Sequence, residues 1–292
     1  MTNNVTDVAL IFEGGGMRGS YTAAVVRTLL AAGLYFDWVA GISAGSSHLA
    51  NYLSRDAHRA EMSFVDFTAD PKFGNIGTFV RGQGLFNAHY IYEQTSAPGQ
   101  ALPFDFSTFQ LNPATRRIGS FEADTGQAVY WGKEDMRTLH QLMREVRASS
   151  TMPILMPPVK FNGHTYVDGA IGPSGGIALD AARRDGLTRF FVVMTRERSY
   201  IKPPSRMPRL YKTWFRRFPA VAEALIERPR NYNQTREELF DLESSGQALL
   251  FVPDQMTVRN NTRSVPELRE SFEAGLVQAR RELPRWRDFL GL

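Results

Sequence analysis

Residues 36–53 read FDWVAGISAGSSHLANYL, and the pattern of this stretch is the clearest indication of the fold. The apolar run Phe36–Ile42 is typical of a buried parallel strand, and Ala44–Leu53 predicts a helix. Between them, Gly41-Ile42-Ser43-Ala44-Gly45 matches the pattern G-x-S-x-G, in which a sharp strand-to-helix turn lifts a serine oxygen above the sheet. The helix N-terminus favours an anion that develops there. We therefore predict that Ser43 is a nucleophile; the alternative is a glycine-containing turn without chemistry.

A second unit of the same kind precedes this stretch. Val8–Phe12 is a short apolar run typical of a buried strand, and Tyr21–Ala32 predicts a helix that Gly33 ends. The loop between them is Gly14-Gly15-Gly16-Met17-Arg18-Gly19. The order strand, loop, helix, strand, turn, helix indicates an α/β fold with a parallel sheet.

The glycine loop fits two uses. It matches G-x-G-x-x-G, the dinucleotide-binding pattern of an oxidoreductase, which requires an acidic residue ~20 residues on, at the end of the next strand. Here Asp37 lies at the start of that strand, whereas Ser43 follows its end, and this disfavours the nucleotide. In the other use, the bare glycine backbone directs amides at the oxyanion of a tetrahedral intermediate. Arg18 either orients the loop or is a surface arginine.

Further strands and helices continue the α/β pattern along the chain. Residues 70–130 are rich in Gly, Pro and Asn turn signals and predict loops with short strands. The sequence Ser264-Val265-Pro266-Glu267 predicts the capped start of a C-terminal helix. The other predicted strands are Ala128–Trp131, Thr165–Val167 and Arg189–Thr195, and the other predicted helices are Lys133–Ser149 and Ile177–Arg184.

A serine nucleophile requires a base, and the residues offer two kinds. The last of the five histidines is His164, so a triad in the order Ser, acid, His would have to use His140 or His164 with an earlier acid. The other candidate is Asp168, which ends a predicted strand before a glycine. An aspartate with a pKa of about 3.9 is a weak base unless it is desolvated, and an Asp-Gly pair is also a common turn.

The composition excludes several classes of protein. The chain has 292 residues and no cysteine, which rules out a disulfide scaffold, a cysteine nucleophile and a thiolate zinc site. Residues 1–7 contain no basic residue, and the most apolar window, residues 21–36, is shorter than the ~20 residues of a spanning helix. We therefore expect a cytoplasmic protein without a secretory signal.

The positive charge is concentrated in one segment. Residues 196–230 contain ten Lys or Arg and three Asp or Glu, a surplus of seven, so the rest of the chain carries −3 of the total of +4. This distribution disfavours a protein that coats nucleic acid. The segment also contains Tyr211, Trp214, Phe215 and Phe218, and basic residues beside aromatic ones suit peripheral docking on anionic lipid. The alternative is a solvated amphipathic helix packed on the body.

Three elements in order resemble the patatin-like phospholipases: Gly14–Gly19, Gly41–Gly45 and Asp168-Gly169-Ala170. The segment Ala148–Pro153 is also similar to the family's sequence upstream of its aspartate. The resemblance covers residues 6–200, the expected catalytic domain. Residues 201–292 are similar to the small C-terminal extension of a bacterial branch of the family, and we expect them to be mainly helical.

The resemblance implies a Ser43–Asp168 dyad in place of a triad. It implies an oxyanion hole formed by the amides of Gly14, Gly15 and Gly16, supported by Met17, Arg18 and Gly19. The implied fold is a three-layer α/β/α sandwich around a mainly parallel sheet. The implied activity is phospholipase A or lysophospholipase cleavage of phospholipids or other acyl esters, without a cofactor. A catalytically silent membrane-associated or regulatory protein of the same fold is the alternative.

Two further details concern the family resemblance and the expected acyl pocket. Ala170 stands where many members of the family have a second glycine, and both forms occur in the family's pattern. Several phenylalanines after the elbow helix are candidates for the lining of an acyl pocket, although they are equally typical of ordinary core. They are Phe64, Phe67, Phe73, Phe79 and Phe86.

Overall fold

The computed structural model describes residues 1–292, with the exception of the side chain of residue 76, and is built on one eight-stranded sheet. The strands are β1 (Val5–Phe12), β2 (Phe36–Ile42), β3 (Thr115–Glu122), β4 (Gln127–Trp131), β5 (Val159–Phe161), β6 (His164–Asp168), β7 (Phe190–Val193) and β8 (Ala248–Phe251). The helices are α1 (Gly19–Ala31), α2 (Ala44–Leu53), α3 (Ala57–Phe64), α4 (Ile76–Val80), α5 (Phe106–Leu111), α6 (Leu139–Ser149), α7 (Leu179–Arg184), α8 (Pro208–Trp214), α9 (Pro219–Ser244) and α10 (Val265–Leu290).

The centre of the sheet is parallel, in the order β3, β2, β1, β7, β8. Antiparallel strands join at one side, where β4 and β6 pair with β3 and β5 pairs with β6. The apolar runs predicted as buried parallel strands therefore occupy the middle of the sheet, where both faces are covered. The predicted α/β class with a mainly parallel sheet is confirmed.

Along one edge, β3 pairs first with β2 and then with β6. The pairing with β2 ends at Ile42 opposite Gly119, and the pairing with β6 begins at the next residue, with Asp168 opposite Ser120. Because β4 pairs with residues 118–122 of β3, and a strand has only two edges, β2 and β6 share the remaining edge. The end of β6 consequently meets the end of β2.

Side chains of β1 alternate between two helical layers. Val8, Leu10 and Phe12 point into a core formed with α1, α2, α6 and α10. Ala9 and Ile11 point into a second core formed with α7 and α9. This alternation follows from the two-residue period of a strand, and it confirms the predicted three-layer sandwich.

The last 45 residues are packed against the N-terminal part of the chain. β8 extends the parallel sheet beside β7, and α10 lies along α1. A Cβ atom on Gly275 of α10 would lie 2.3 Å from the carbonyl oxygen of Tyr21, so the two helices approach to backbone contact. The hydroxyl of Tyr21 donates to Gln278 Oε1 at 2.5 Å. The domain boundary at residue 200 stays a prediction.

Capping explains where several helices begin. The predicted helix Lys133–Ser149 starts only at Leu139, because Thr138 and Gln141 form a capping box there. The predicted start of the last helix is confirmed, since the side chain of Ser264 accepts from the amide of Glu267. Across the described residues, none of the helices has both the length and the apolar character needed to cross a membrane.

Candidate active site

Ser43 lies in a strained turn between β2 and α2. Its φ of 57° and ψ of −126° are unusual for a residue with a side chain. The two glycines of the turn allow this geometry: a Cβ atom on Gly41 would lie 2.1 Å from the carbonyl oxygen of Gly45, and one on Gly45 would lie 2.1 Å from that of Phe12. The small residues of G-x-S-x-G thus have a steric reason, and the turn presents the serine oxygen at the end of the sheet.

Ser149, the last residue of α6, stabilises this turn with its side-chain hydroxyl. Its hydroxyl accepts from the amide of Ser43 at 2.9 Å and donates to the carbonyl of Gly119 at 2.5 Å. The strained amide of the candidate nucleophile is therefore satisfied by a side chain 106 residues away. In the sequence, Ser149 stands only at the end of a predicted helix and within a family-like segment, and neither feature reveals this role.

Ser43 and Asp168 are in contact. Ser43 Oγ donates to Asp168 Oδ2 at 2.8 Å, and both side chains are buried. The second oxygen, Oδ1, accepts from the amide of Ala170 at 2.8 Å. Burial raises the pKa of Asp168 above its ordinary value, against the opposing effects of the Arg228 charge and of hydrogen bonds from Ala170 and Ser43. Desolvation therefore makes this carboxylate a stronger base than an exposed aspartate.

The turn after Asp168 requires a glycine. A Cβ atom on Gly169 would lie 2.5 Å from the carbonyl oxygen of Gly119, so a side chain there would separate β6 from β3. The adjacent Ala170 packs its methyl group into the core beneath α7. Asp168-Gly169-Ala170 is thus a tightly packed turn as well as the location of the candidate base.

The two histidines considered for a triad, His140 and His164, pair with other residues, as does the buried His48. His48 is fully buried, contacts Thr22 Oγ1 at 2.8 Å, and has its pKa lowered to about 3 by burial. His164 is half-exposed and pairs with Glu122 at 2.9 Å, and His140 is exposed. Within the described part of the chain, no group of three His, Cys, Asp or Glu side chains is arranged to hold a metal ion.

The glycine loop offers two free amides, whereas three were expected. The amide of Gly14 donates to the carbonyl of Gly176 at 3.1 Å, so the expectation that it serves an oxyanion is corrected. The amides of Gly15 and Gly16 have no acceptor within hydrogen-bonding distance among the described residues. Gly16 has a φ of 56°, and the amide of Met17 donates to the carbonyl of Asn260 at 3.0 Å, which fixes the loop.

Arg18 and Gly19 anchor the other end of the loop. Arg18 is buried, and its Nε donates to the carbonyl of Thr195 at 3.2 Å, so it is not a surface arginine. Burial, assisted by the charge of Arg196, lowers the pKa of Arg18 to about 10. A Cβ atom on Gly19 would lie 2.4 Å from the ring of Phe64, so this glycine permits the start of α1 to approach α3.

An apolar pocket opens beside Ser43. Its empty volume is about 770 Å³, part of it open to solvent. Phe79, by contrast, lies outside it and is 45% exposed, so this candidate for the lining is corrected. The aromatic and thioether side chains that line the pocket include Phe64, Phe67, Phe73, Phe86, Tyr92, Met17, Met143, Met152 and Met156.

Two family models match the chain. Residues 10–181, more than half of it, match the model described as Patatin-like phospholipase. Residues 218–291 match a model described as a domain of unknown function, DUF6363. The first match includes Ser43 and Asp168, and the second includes all of α9, β8 and α10.

A curated relative and a solved structure are similar to the chain. The uncharacterized protein YjjU of Escherichia coli strain K12 is 29% identical over 218 residues, which are 72% of this chain and 56% of that protein. The chain thus spans little more than half the length of this relative. The crystal structure of VipD from Legionella pneumophila covers 96% of this chain and 67% of its own with a TM-score of 0.50. At 11% identity, this likeness concerns the fold alone.

Proposed function

The chain belongs to the patatin-like phospholipase family, and from this premise we propose that it is a serine acyl hydrolase of the phospholipase A or lysophospholipase type. The observation that carries the proposal is the 2.8 Å hydrogen bond from Ser43 Oγ to the buried Asp168 carboxylate. The apolar pocket beside Ser43 supports an acyl-chain substrate. Family membership supports a lipolytic hydrolase in general, and the dyad and its substrate class are the proposal.

In the acylation step, Ser43 Oγ attacks the ester carbonyl carbon while its proton passes to Asp168 Oδ2. The carbonyl oxygen becomes an oxyanion that accepts from the amides of Gly15 and Gly16. One such donor is worth about 3 kcal/mol in the transition state. The ester C–O bond then breaks, the proton moves from Asp168 to the departing alcohol, and the acyl group remains on Ser43.

Deacylation repeats these steps with water. Asp168 accepts a proton from the water molecule as its oxygen attacks the acyl carbon. The bond to Ser43 Oγ breaks, the serine recovers its proton from Asp168, and a fatty acid leaves. Throughout, Ser149 holds the amide of Ser43 and so keeps the serine oxygen at the same distance from the base.

The decisive experiment compares Ser43→Ala and Asp168→Asn with His164→Ala on a p-nitrophenyl ester and a panel of phospholipids and lysophospholipids. Ser43→Ala should abolish turnover with an unchanged circular-dichroism spectrum, and Asp168→Asn should be nearly as damaging. His164→Ala should retain activity within about twofold, because the proposed dyad does not use it.

Retained turnover in Ser43→Ala would contradict the proposal, and a large loss in His164→Ala would favour a triad. A fluorophosphonate probe that fails to label Ser43 would favour the silent alternative.

We also propose that the basic segment, residues 196–230, docks the protein peripherally on anionic bilayers. Trp214 is 51% exposed and lies with Phe79 at a surface groove that also includes Val167, the residue before Asp168. Phe215 and Phe218 pack inward and attach the segment to the body. Exposed basic residues lie on both sides of Trp214 in the sequence: Arg206, Arg209, Lys212, Arg216 and Arg217. Lipid docking there would bring substrate to the edge of the sheet that holds the base.

A further inference from the structure

A second group of charged side chains surrounds Glu13, the residue after β1. Glu13 is buried, and both of its oxygens are engaged by neutral donors. Oε2 accepts from the amide of Thr195 at 2.6 Å, and Oε1 accepts from the hydroxyl of Tyr232 at 2.7 Å. This carboxylate therefore anchors the start of the glycine loop to β7 and to α9, and it forms no ion pair within the described residues.

Two cations lie on an aromatic pair next to Glu13. Lys202 Nζ is 4.9 Å from the ring centroid of Tyr232, and Arg196 Cζ is 4.1 Å from that of Tyr200. The two tyrosine rings contact each other edge to face, with centroids 6.2 Å apart. The rings thus hold Arg196 and Lys202 close together without neutralising either charge.

Arg228 is the third member of this group. It lies one helical turn before Tyr232 on α9 and so faces the same direction. Its Nε is buried and has no acceptor among the described side chains and backbone groups. A buried, unsatisfied donor on a cation costs more free energy than a neutral one, so this guanidinium has a strong preference for an anion.

The positive charges of this group are not paired with acidic side chains in the part of the chain that the structure describes. Arg18, Arg196, Lys202 and Arg228 occur in none of the ion pairs formed by the described residues. Burial lowers the pKa of Lys202 to about 7, and the charges of Arg228, Arg18 and Arg196 act in the same direction, against Glu13. Positive charges that lower one another's proton affinity would be stabilised by a bound anion.

This group adjoins the Ser43–Asp168 pair. Arg18 belongs to the glycine loop, and the charge of Arg228 acts on the carboxyl of Asp168. Gly175 packs against the backbone of Tyr232, and its neighbour Gly176 accepts from the amide of Gly14. A short chain of contacts therefore connects the cationic group to the loop that carries the free amides.

We infer that Arg196, Lys202 and Arg228 bind the phosphate group of a phospholipid or lysophospholipid whose ester carbonyl lies at Ser43. This inference rests on the proposed hydrolase function and specifies its substrate as an ester with an anionic phosphate. A phosphate oxygen bound by Arg228 would satisfy the buried Nε, and guanidinium groups match the geometry of phosphate. Arg18 is already committed to the Thr195 carbonyl and forms the wall of this site.

The test measures selectivity, because Arg228 also affects the base. kcat/KM is determined for a short-chain, monomeric lysophosphatidylglycerol and for the monoacylglycerol with the same acyl chain. The ratio of the two values should fall at least tenfold in Arg228→Gln and in Lys202→Met. It should stay within twofold in Arg230→Gln, a control on the same helix whose exposed guanidinium pairs with Glu227. An unchanged ratio in Arg228→Gln and Lys202→Met would overturn the inference, even if both rates fell.

A binding measurement separates this inference from the hydrolase proposal. Ser43→Ala should bind sn-glycerol 3-phosphate in a calorimetric titration, and Ser43→Ala/Arg228→Gln should lose at least tenfold in affinity. If the wild type cleaves no ester but this Arg228-dependent binding persists, the anion site stands and the hydrolase proposal fails. If esters are cleaved but glycerol phosphate binds equally to both variants, the anion site alone fails. Inorganic phosphate that binds as tightly as glycerol phosphate would identify a site for free phosphate and overturn the assignment to lipid.

Discussion

At the level of single residues, burial determines how readily Asp168 accepts a proton. Asp168 lies in the interior and accepts from Ser43 and from the amide of Ala170. Removal from water disfavours the ionised carboxylate, and the fields of Arg228 and the two donors offset only part of this effect. An aspartate without a histidine can therefore take a serine proton, which an exposed carboxylate does poorly.

The pH dependence of activity follows from this burial. The proposed mechanism requires ionised Asp168, whose pKa lies above the ordinary 3.8, so kcat/KM for an uncharged ester should fall as the pH drops through a midpoint above 3.8. Arg228→Gln removes a positive charge that lowers this pKa, so its acid limb should move to higher pH. The pH–rate profiles of wild type and variant test both statements, with circular dichroism at each pH as the control. A midpoint at or below 3.8, or a downward shift in Arg228→Gln, would contradict them.

The sequence identified the candidate nucleophile and base but not the residues that position them. Ser43 and Asp168 each carry a local pattern of glycines that a single sequence displays. Ser149 binds the amide of Ser43 across 106 residues, and the charge of Arg228 on α9 acts on Asp168. The neighbours of Ser149 and Arg228 in the sequence are ordinary. The sequence predicted that the amide of Gly14 is free. It could not reveal the acceptor, the carbonyl of Gly176, because the packing of a distant loop places that carbonyl beside Gly14.

At the scale of elements, the site depends on the change of partner along β3. The sequence predicted a strand over Thr165–Val167 that ends at Asp168, but it did not indicate the direction of this strand in the sheet. β6 is in fact antiparallel to β3, and Asp168 reaches Ser43 because β6 begins to pair where β2 stops. Apolar runs reveal that a strand exists, but its direction is decided by connections that a periodicity does not record.

The packing of α10 on α1 predicts the effect of one methyl group. In Gly275→Ala the new Cβ would lie 2.3 Å from the backbone carbonyl of Tyr21, so the helices must separate. The higher helix propensity of alanine, worth about 1 kcal/mol, only partly offsets this overpacking. We expect a net loss of about 1–3 kcal/mol in the free energy of unfolding, measured by urea denaturation.

Gly132→Ala is the matched control for this substitution. The only close contact of its Cβ would be with the end of the flexible Arg117 side chain, which can move aside. It should therefore leave the urea midpoint close to that of the wild type. A Gly275→Ala protein as stable as Gly132→Ala would contradict the close packing of the two helices.

For the molecule as a whole, the charge distribution predicts that the proposed membrane docking depends on anionic lipid and on salt. The basic segment should bind vesicles that contain anionic lipid at low salt and should be released as the salt concentration rises. Arg216→Glu/Arg217→Glu should weaken binding at least tenfold in a sedimentation assay, because each charge near the surface contributes roughly 1 kcal/mol.

Arg183→Glu/Arg184→Glu has the same change in net charge and serves as the control. Arg183 pairs with Glu238 on α9, and Arg184 pairs with Asp180 on α7, outside the basic segment. The control should bind vesicles nearly as well as the wild type. Equal losses in both double variants, or no binding of the wild type at low salt, would contradict docking through the segment.

The contact between Met17 and Asn260 joins two parts of the chain that are synthesised far apart in time. The amide of Met17 in the glycine loop donates to a carbonyl 243 residues later in the chain, and α1 is covered by α10. On the ribosome, the early strands and the serine turn emerge long before these partners. The nascent chain therefore carries its serine without a fixed loop to stabilise the transition state. For the proposed hydrolase, we expect ester cleavage to begin only after residues beyond 260 have left the exit tunnel.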